Sequence, residues 1–312
     1  SIAAIPTGYE SRQVNPYATS LWTQTFQIIC KSNTGDNSSF FLKTAQGHLA
    51  EQMFHGEYEG MSKIHETVPD FAPRPVAWGK CDNSPNKFFF LSEYIKMTQQ
   101  NLADPRKFCS SLAHLHKNAT SPNGMFGFPM TTCNGNIPQD NTWQESWETF
   151  FANGLRHMLQ LDIEKNGQQS DLVVAIQPIF ETVIPRLLRP LQQGPNPIRP
   201  SLLHGDLWYG NTSTNCQTGE PLLFDSAAFY GHNEYELGNW RPVRNRFGPE
   251  FFQEYLKHYP AASPVEEFDD RIRLYELRFN FHLSIMFPGS EQNKKEMIES
   301  MKYLSNKYCS SQ

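Results

Sequence analysis

The chain has 312 residues, a formal charge of −5, 38 % hydrophobic residues and 19 % charged ones. That length suits one large bilobal domain or two small ones, with ample material for a buried core. Mild acidity gives no footing for nucleic acid or an anionic membrane as partner, and no apolar run approaches a bilayer span. The six cysteines, at 30, 81, 109, 133, 216 and 309, contain no Cys-x-x-Cys pair. Zinc and a disulfide framework are therefore poorly supported, and a reducing, cytoplasmic setting is expected. No signal peptide is visible, and a start at Ser1 implies that an initiator region lies outside this sequence.

In chain order, residues 1–30 hold one glycine, Gly8, so no Gly-x-Gly-x-x-Gly loop is available over a phosphate chain. Ser20-Leu21-Trp22 is the candidate to take its place. Trp22 to Cys30 alternates in part like a strand, and Ser32–Ser39 reads as a hairpin turn. Phe40 to Thr44 is a short apolar strand with Lys43 near its end. A lysine there reaches the α- and β-phosphates of a nucleotide if a carboxylate holds it. Gln46 to His65 has helical spacing at Leu49, Met53, Tyr58, Met61 and Ile64. Glu57 is the expected partner of Lys43, because Met53 and Met61, a turn to either side, share its core-facing stripe. Alone, the two residues read as a solvated lysine and a surface charge; the motif further on favours the ion pair. Pro69 to Pro75 ends the helix. Val76–Gly79 and Lys87–Leu91 read as a strand pair around the turn Cys81–Asn86. Ser92-Glu93-Tyr94-Ile95 follows, and the boundary between residues 1–95 and 96–312 is placed there.

Asp104 to Lys117 is helical, with Asp104-Pro105 as its start signal. His114 and His116 lack the i, i+4 spacing of a helix metal pair and receive no role. Ser121 to Asn141 is rich in Gly, Pro and Asn and reads as a long ordered loop. A helix is expected from Trp143 to about Leu161, with Trp143 and Trp147 one turn apart as a core stripe. Asp171 to Leu191 reads as one helix or two, broken by Pro178 and Pro185. Glu234 and Glu236 are expected to cap a helix or to pair with Arg241 and Arg244. Phe247–His258, Asp269–Met286 and Glu291–Tyr308 are further helices.

The chemistry sits in Leu202-Leu-His-Gly-Asp-Leu-Trp-Tyr-Gly-Asn211 and Leu222-Leu-Phe-Asp225. Two apolar runs end in polar groups, joined by the turn-prone stretch Thr212 to Glu220. Protein kinases place an Asp base, an Asn five residues on and a metal-binding Asp in the same order. Phosphoryl transfer needs a carboxylate beside the attacking hydroxyl and hard oxygen ligands for Mg²⁺. Asp206 suits the first role; Asn211 and Asp225 suit the second. Each residue alone is an ordinary turn, cap or strand end; order and spacing together point to a kinase-like site.

His-Gly-Asp is the form seen in small-molecule kinases of the aminoglycoside phosphotransferase type. The longer segments, Leu203 to Asn211 and Phe224 to Leu237, resemble the fructosamine-3-kinase (ketosamine-3-kinase) family. The resemblance extends to Phe41-Leu-Lys43, Met53-Phe-His-Gly-Glu57, Phe126-Gly-Phe128 and Trp143 to Phe151, and so covers most of the chain after about residue 38. Glu236-Leu-Gly-Asn-Trp-Arg241 and Arg278-Phe-Asn-Phe-His282 resemble the fungal branch. The resemblance implies an α+β, bilobal protein-kinase-like fold, with a small antiparallel-sheet lobe of five strands and one helix and a larger, mainly helical lobe. It implies ATP and Mg²⁺ as cofactors and transfer to the 3-hydroxyl of ketosamines, on glycated proteins or free, whose phosphorylated adducts then fall off. Asp206 would orient that hydroxyl, Lys43 held by Glu57 would contact ATP, and the hinge backbone at Glu93 and Ile95 would meet the adenine edge. Trp208 would line the sugar pocket, or else wedge the catalytic loop. His282 would border the acceptor.

Three positions depart from the family pattern: the missing glycine loop, Ser226 in place of Pro after Asp225, and His282-Leu283 where the family has Asn-His. The altered late helix leaves a different amino sugar or ketosamine open as acceptor. A phosphotransferase for an antibiotic or other alcohol and a non-catalytic pseudokinase remain alternatives. A monomer or weak dimer is expected.

Overall fold

Parity along the strands decides how the first part of the chain folds. The computed structural model describes residues 4–19, 22–82, 84–98 and 102–309. Strands β1 (Tyr9–Thr19), β2 (Gln24–Ser32), β3 (Asn37–Gln46), β4 (Pro75–Lys80) and β5 (Lys87–Glu93) form one antiparallel sheet in the order β1-β2-β3-β5-β4. Successive side chains on a strand point to opposite faces. Phe40, Leu42, Phe89 and Leu91 therefore join Ile28 and Cys30 on one face. Ala45, Phe88 and Phe90 fall on the other, against Ala50 and Phe54 of helix α1 (His48–Thr67). Lys43 shares the parity of Ala45, so its side chain is delivered to α1. Strand β3 runs longer than Phe40–Thr44. Strand β1, in the stretch least legible from sequence, is an edge that among the described residues pairs only with β2.

The rest of the chain is mainly helical. Helix α2 (Pro105–Asn118) starts where Asp104 accepts hydrogen bonds from the N–H groups of Arg106 and Lys107. A short hairpin of β6 (Cys133–Asn134) and β7 (Ile137–Pro138) stands inside the segment read as a loop. Helix α3 (Trp147–Asn166) begins at its cap Ser146, so Trp143 lies before the helix and the expected Trp143–Trp147 stripe does not form. Serine took the N-cap because its hydroxyl accepts from Thr149 N–H.

The expected interruption between Pro178 and Pro185 takes the form of a widened turn. Helices α4 (Ser170–Pro178), α5 (Ile184–Leu188) and α6 (Pro190–Gln193) are joined through a π turn over Ile179–Val183. Ile184 N–H bonds to the Ile179 carbonyl, and this widened turn accommodates prolines that would clash with regular helix. Then come β8 (Ser201–Leu203), β9 (Thr212–Thr214), β10 (Pro221–Leu223) and β11 (Phe229–Gly231), with β8 on β11 and β9 on β10. Helices α7 (Glu234–Gly238), α8 (Pro249–His258), α9 (Phe268–Met286) and α10 (Glu291–Cys309) complete the chain.

The large core is aromatic, with Trp147, Trp240, Tyr255 and Tyr275 fully buried. The polar tips of Trp147, Tyr255 and Tyr275 are all hydrogen-bonded, as burial favours, whereas Trp240 Nε1 has no partner among the described residues. Trp147 Nε1 donates to the Tyr275 hydroxyl at 2.9 Å, which donates to His232 Nδ1 at 2.9 Å. Burial holds His232 neutral, lowering its pKa to about 4. The unfolded chain then takes up a proton near pH 6.5 that the folded chain refuses until about pH 4. Stability is thus full above pH 6.5 and declines as pH falls, by up to about 3 kcal/mol from this group. Melting curves from pH 7 to 4.5 should show the decline, and His232→Gln should make it shallower, with the buried neutral His204 and His282 carrying the rest; an unchanged slope would refute the assignment.

Candidate active site

The catalytic loop is held from behind before any ligand arrives. Strand β8 is wholly buried and ends at His204-Gly205-Asp206. Gly205 has φ 80°, and a Cβ there would stand 2.2 Å from the Ala227 carbonyl oxygen, so only glycine fits between His204 and Asp206. His204 Nε2 donates to the Phe224 carbonyl at 2.9 Å, while Nδ1 accepts from the Asp206 N–H at 3.3 Å. Burial lowers the His204 pKa, and the neutral ring ties the Asp206 loop to the residue before Asp225.

Behind this loop lies Glu236. Its carboxylate accepts the His204 N–H at 2.5 Å and the Gly205 N–H at 3.1 Å. Glu234 binds the buried Arg271 at 2.7 and 3.0 Å. These contacts replace the expected partners Arg241 and Arg244. Arg241 instead meets Asp269 and Glu276, and Arg244 donates to Asn280. Sequence proximity misled because α7 turns both glutamates inward, where an unpaired carboxylate would be costly.

The five-residue step from Asp206 to Asn211 closes on itself: Asn211 Nδ2 donates to the Asp206 carbonyl at 2.9 Å and to Asp206 Oδ2 at 3.1 Å. Burial pushes Asp206 up to about 7, against the Asn134 and Asn211 amides and the charge of Arg278, while Asp225 adds to the rise. Asp225 is exposed and sits at φ 63°, a left-handed conformation that a non-glycine residue adopts only when its surroundings impose it.

Lys43 bridges the two parts of the molecule. Its Nζ lies 2.5 Å from Glu57 Oε1 and also meets Asp225 Oδ1. Burial alone would lower the Lys43 pKa, but the Asp225 and Glu57 carboxylates outweigh it and hold the ammonium charged. These groups line a cavity of about 600 Å³, walled by Phe41, Glu93, Ile95 and Phe224 among others. That volume is of the size that takes a cofactor. Lys43, Glu57, Glu93, Ile95 and Asp225 all border it; Asp206 and Asn211 do not.

Trp208 and His282 stand apart from that cavity. The Trp208 ring meets Tyr209 edge-on at 4.9 Å and lies against Gly210. His282 Nε2 donates to the Asn134 carbonyl at 3.1 Å, and burial lowers the ring's pKa to about 3, so it is neutral. Of the proposed nucleotide-loop substitute, Ser20 and Leu21 lie outside the described residues. Trp22 is described, and its indole reaches the β6–β7 hairpin at Gly135. Sequence reasoning missed Asn134, Gln139 and Arg278. The first two sit in a segment whose composition reads only as loop, and Arg278 is one more polar residue on a long helix.

Among the described residues, no group of three or more His, Cys, Asp or Glu could hold a metal by itself. The donor set still suits a hard cation that shares phosphate oxygens. Asp225 offers an exposed carboxylate, and with Asn211 Nδ2 committed to Asp206 the amide oxygen is the atom left for an ion. Among the described residues no helix is long and apolar enough to cross a membrane.

Known proteins resemble the chain throughout. A rice (Oryza sativa subsp. japonica) protein-ribulosamine 3-kinase, chloroplastic, is 32 % identical over 80 % of this chain and 68 % of its own. A mouse ketosamine-3-kinase is 29 % identical over 83 % of this chain and 87 % of its own. A crystal structure assigned to fructosamine-3-kinase from Thermobifida fusca superposes with a TM-score of 0.76 at 20 % identity, covering 96 % of both chains. Aminoglycoside phosphotransferase APH(4)-Ia superposes at 0.61 with 14 % identity over 95 % of this chain and 94 % of its own, which fixes the bilobal kinase-like α+β fold. With residues 8–304 matching the family's sequence profile, and the catalytic loop closed as described, this chain belongs to the fructosamine kinase family.

Proposed function

We propose that the chain is an ATP- and Mg²⁺-dependent kinase for the 3-hydroxyl of ketosamines, protein-bound or free. The observation that carries the reading is the pairing of two sets of groups: Glu57, Lys43 and Asp225 joined beside the 600 Å³ cavity, and Asn211 closed on Asp206 in the catalytic loop, which Phe224 N–H ties to the Asn211 carbonyl next to Asp225. The names of the relatives supply the acceptor class. In this reading residues 1–95 form the nucleotide-binding lobe, and residues 96–312 supply catalysis and acceptor binding.

ATP takes the cavity, with its adenine edge on the backbone at Glu93 and Ile95 and its phosphates toward Lys43. Asp225 and Asn211 would hold Mg²⁺, which when bound would supply positive charge against the phosphates. Asp206 orients the acceptor hydroxyl and takes its proton as the new O–P bond forms and the bond to the leaving ADP breaks. A carboxyl pushed up to about 7 is better matched to that proton than an ordinary one. Trp208 lines the sugar side, where its partly exposed ring offers a stacking face. The six cysteines are all free, which supports a reducing, cytoplasmic setting.

The test is ATP consumption by purified protein with Mg²⁺, offering a ribulosamine, a fructosamine and an aminoglycoside in parallel. Turnover of a ketosamine is expected, and it should stop when the cation is chelated. Turnover confined to the aminoglycoside would overturn the acceptor assignment.

A further inference from the structure

Beside Asp206 lies a group of side chains that no motif announces. Asn134 is 0 % exposed, yet neither its Nδ2 nor its Oδ1 has a hydrogen-bond partner. Its amide approaches Asp206 closely enough to favour the charged carboxylate but completes no hydrogen bond with it. Arg278, on α9, is also buried. Its Nη2 donates to Gln139 Oε1 at 2.9 Å, while its Nη1 is left without a partner. Gln139 is itself fixed, donating to the Ala227 carbonyl at 2.8 Å and to Thr132 Oγ1 at 3.0 Å. The guanidinium is thus braced on one side, while the other side is buried without a partner.

Buried polar groups are normally satisfied, and an orphaned donor costs stability. Two such residues beside one partly exposed carboxylate mark a place that a polar ligand completes. The surrounding surface supports this. Gly135, at φ 60°, lets the chain pass where a Cβ would stand 3.3 Å from the Trp22 indole nitrogen and 3.9 Å from His282 Nε2. A bend from the small lobe and a histidine from α9 therefore meet over the hairpin that carries Asn134.

We propose that Asn134 and Arg278 are acceptor-binding residues that take the oxygen atoms flanking the transferred hydroxyl, between walls formed by Trp22 and His282. This rests on the kinase reading of the same site. An amide offers one donor and one acceptor group, and the guanidinium adds a cationic donor. That combination suits a run of carbonyl and hydroxyl oxygens, as on a 2-keto sugar. It disfavours an ammonium group, which would meet the Arg278 charge. The amine of a ketosamine must then point away from this pocket, toward the chain that bears it. Asp206, Gly135 and His282 keep partial exposure, which gives the sugar its way in.

The experiment compares a ketosamine with the 1-amino-alditol made by reducing its carbonyl, on wild type, Asn134→Ala, Arg278→Met, Arg278→Lys and Trp22→Ala. Wild type should prefer the ketosamine. Asn134→Ala should raise the ketosamine KM about tenfold, and Arg278→Met about thirtyfold, because a bond from a charged donor is the stronger. Both should narrow the preference over the alditol, with Arg278→Lys restoring part of it and Trp22→Ala raising KM for both acceptors. KM for ATP should stay within about twofold, and an undiminished melting shift on ADP binding shows that each variant is folded. Turnover of a ketosamine with KM and preference unchanged in Asn134→Ala and Arg278→Met sinks the subsite and leaves the proposed function standing. Turnover of a different alcohol, with its KM raised in the same variants, sinks the ketosamine reading and leaves the subsite standing.

Discussion

Asp206→Ala is expected to lower turnover about 10³-fold while ATP still binds, a loss within the range for a positioned general base. The separation follows from the geometry. Asp206 is not among the residues that line the cavity, and its carboxylate contacts the Asn211 amide rather than Lys43. Removing it strips the acceptor hydroxyl of its proton acceptor and leaves the groups around the nucleotide in place. Asp225→Ala should do the opposite. It removes the only carboxylate of the proposed cation pair, and with it one of the two contacts that hold Lys43. Nucleotide affinity measured with and without Mg²⁺ separates the two variants. Wild-type turnover in Asp206→Ala would end the catalytic assignment, and unaltered Mg²⁺ dependence in Asp225→Ala would end the metal assignment.

Glu236→Ala should be damaging from a position that touches no substrate. The change leaves the N–H groups of His204 and Gly205 buried without an acceptor, beside a His116 ring whose Nε2 lies 3.7 Å from the lost carboxylate. Two orphaned donors cost about 3–5 kcal/mol together. The loop they anchor carries Asp206, so turnover should fall by about 10–100-fold in whatever protein remains folded, because small misplacement of a reacting group is costly. Glu236→Gln keeps one carbonyl acceptor and should recover much of both losses. Chemical denaturation and single-turnover rates measure the two effects separately. A Glu236→Ala protein with wild-type midpoint and rate would refute the bracing role.

The parts of this site that were legible in sequence are those where local chemistry and spacing coincide. Asp206, Asn211 and Asp225 are recognisable because one loop closes over five residues and one strand ends in a carboxylate. Lys43 and Glu57 could be paired because strand parity and a helical stripe both turn them to the same interface. The misreadings share a different cause. Glu234 and Glu236 were matched to nearby arginines, whereas their partners, Arg271 and the loop backbone, are set by how α7 packs on α9 and β8. Trp143 fell outside its helix because Ser146 supplied a better cap than any earlier residue. The interruption read at Pro178 and Pro185 is present, but as a widened turn rather than a full break, a form the sequence does not specify. Asn134 and Arg278 have no local signature, since their position beside Asp206 exists only once the hairpin and α9 are brought together.

The alternation in β3 sets which genetic changes the small lobe can absorb. A residue added to or removed from the tight turn at 33–36 only resizes a surface connection and leaves the pairing of Phe40, Leu42 and Lys43 untouched. The same indel between Asn37 and Lys43 rotates everything after it by half a turn. It sends the ammonium to the Ile28 face and a phenyl or leucyl group toward Glu57. Lineages of this chain are therefore free to vary in length at the hairpin tip but are locked in frame along the strand, a restriction that substitution tolerance at individual positions would not reveal.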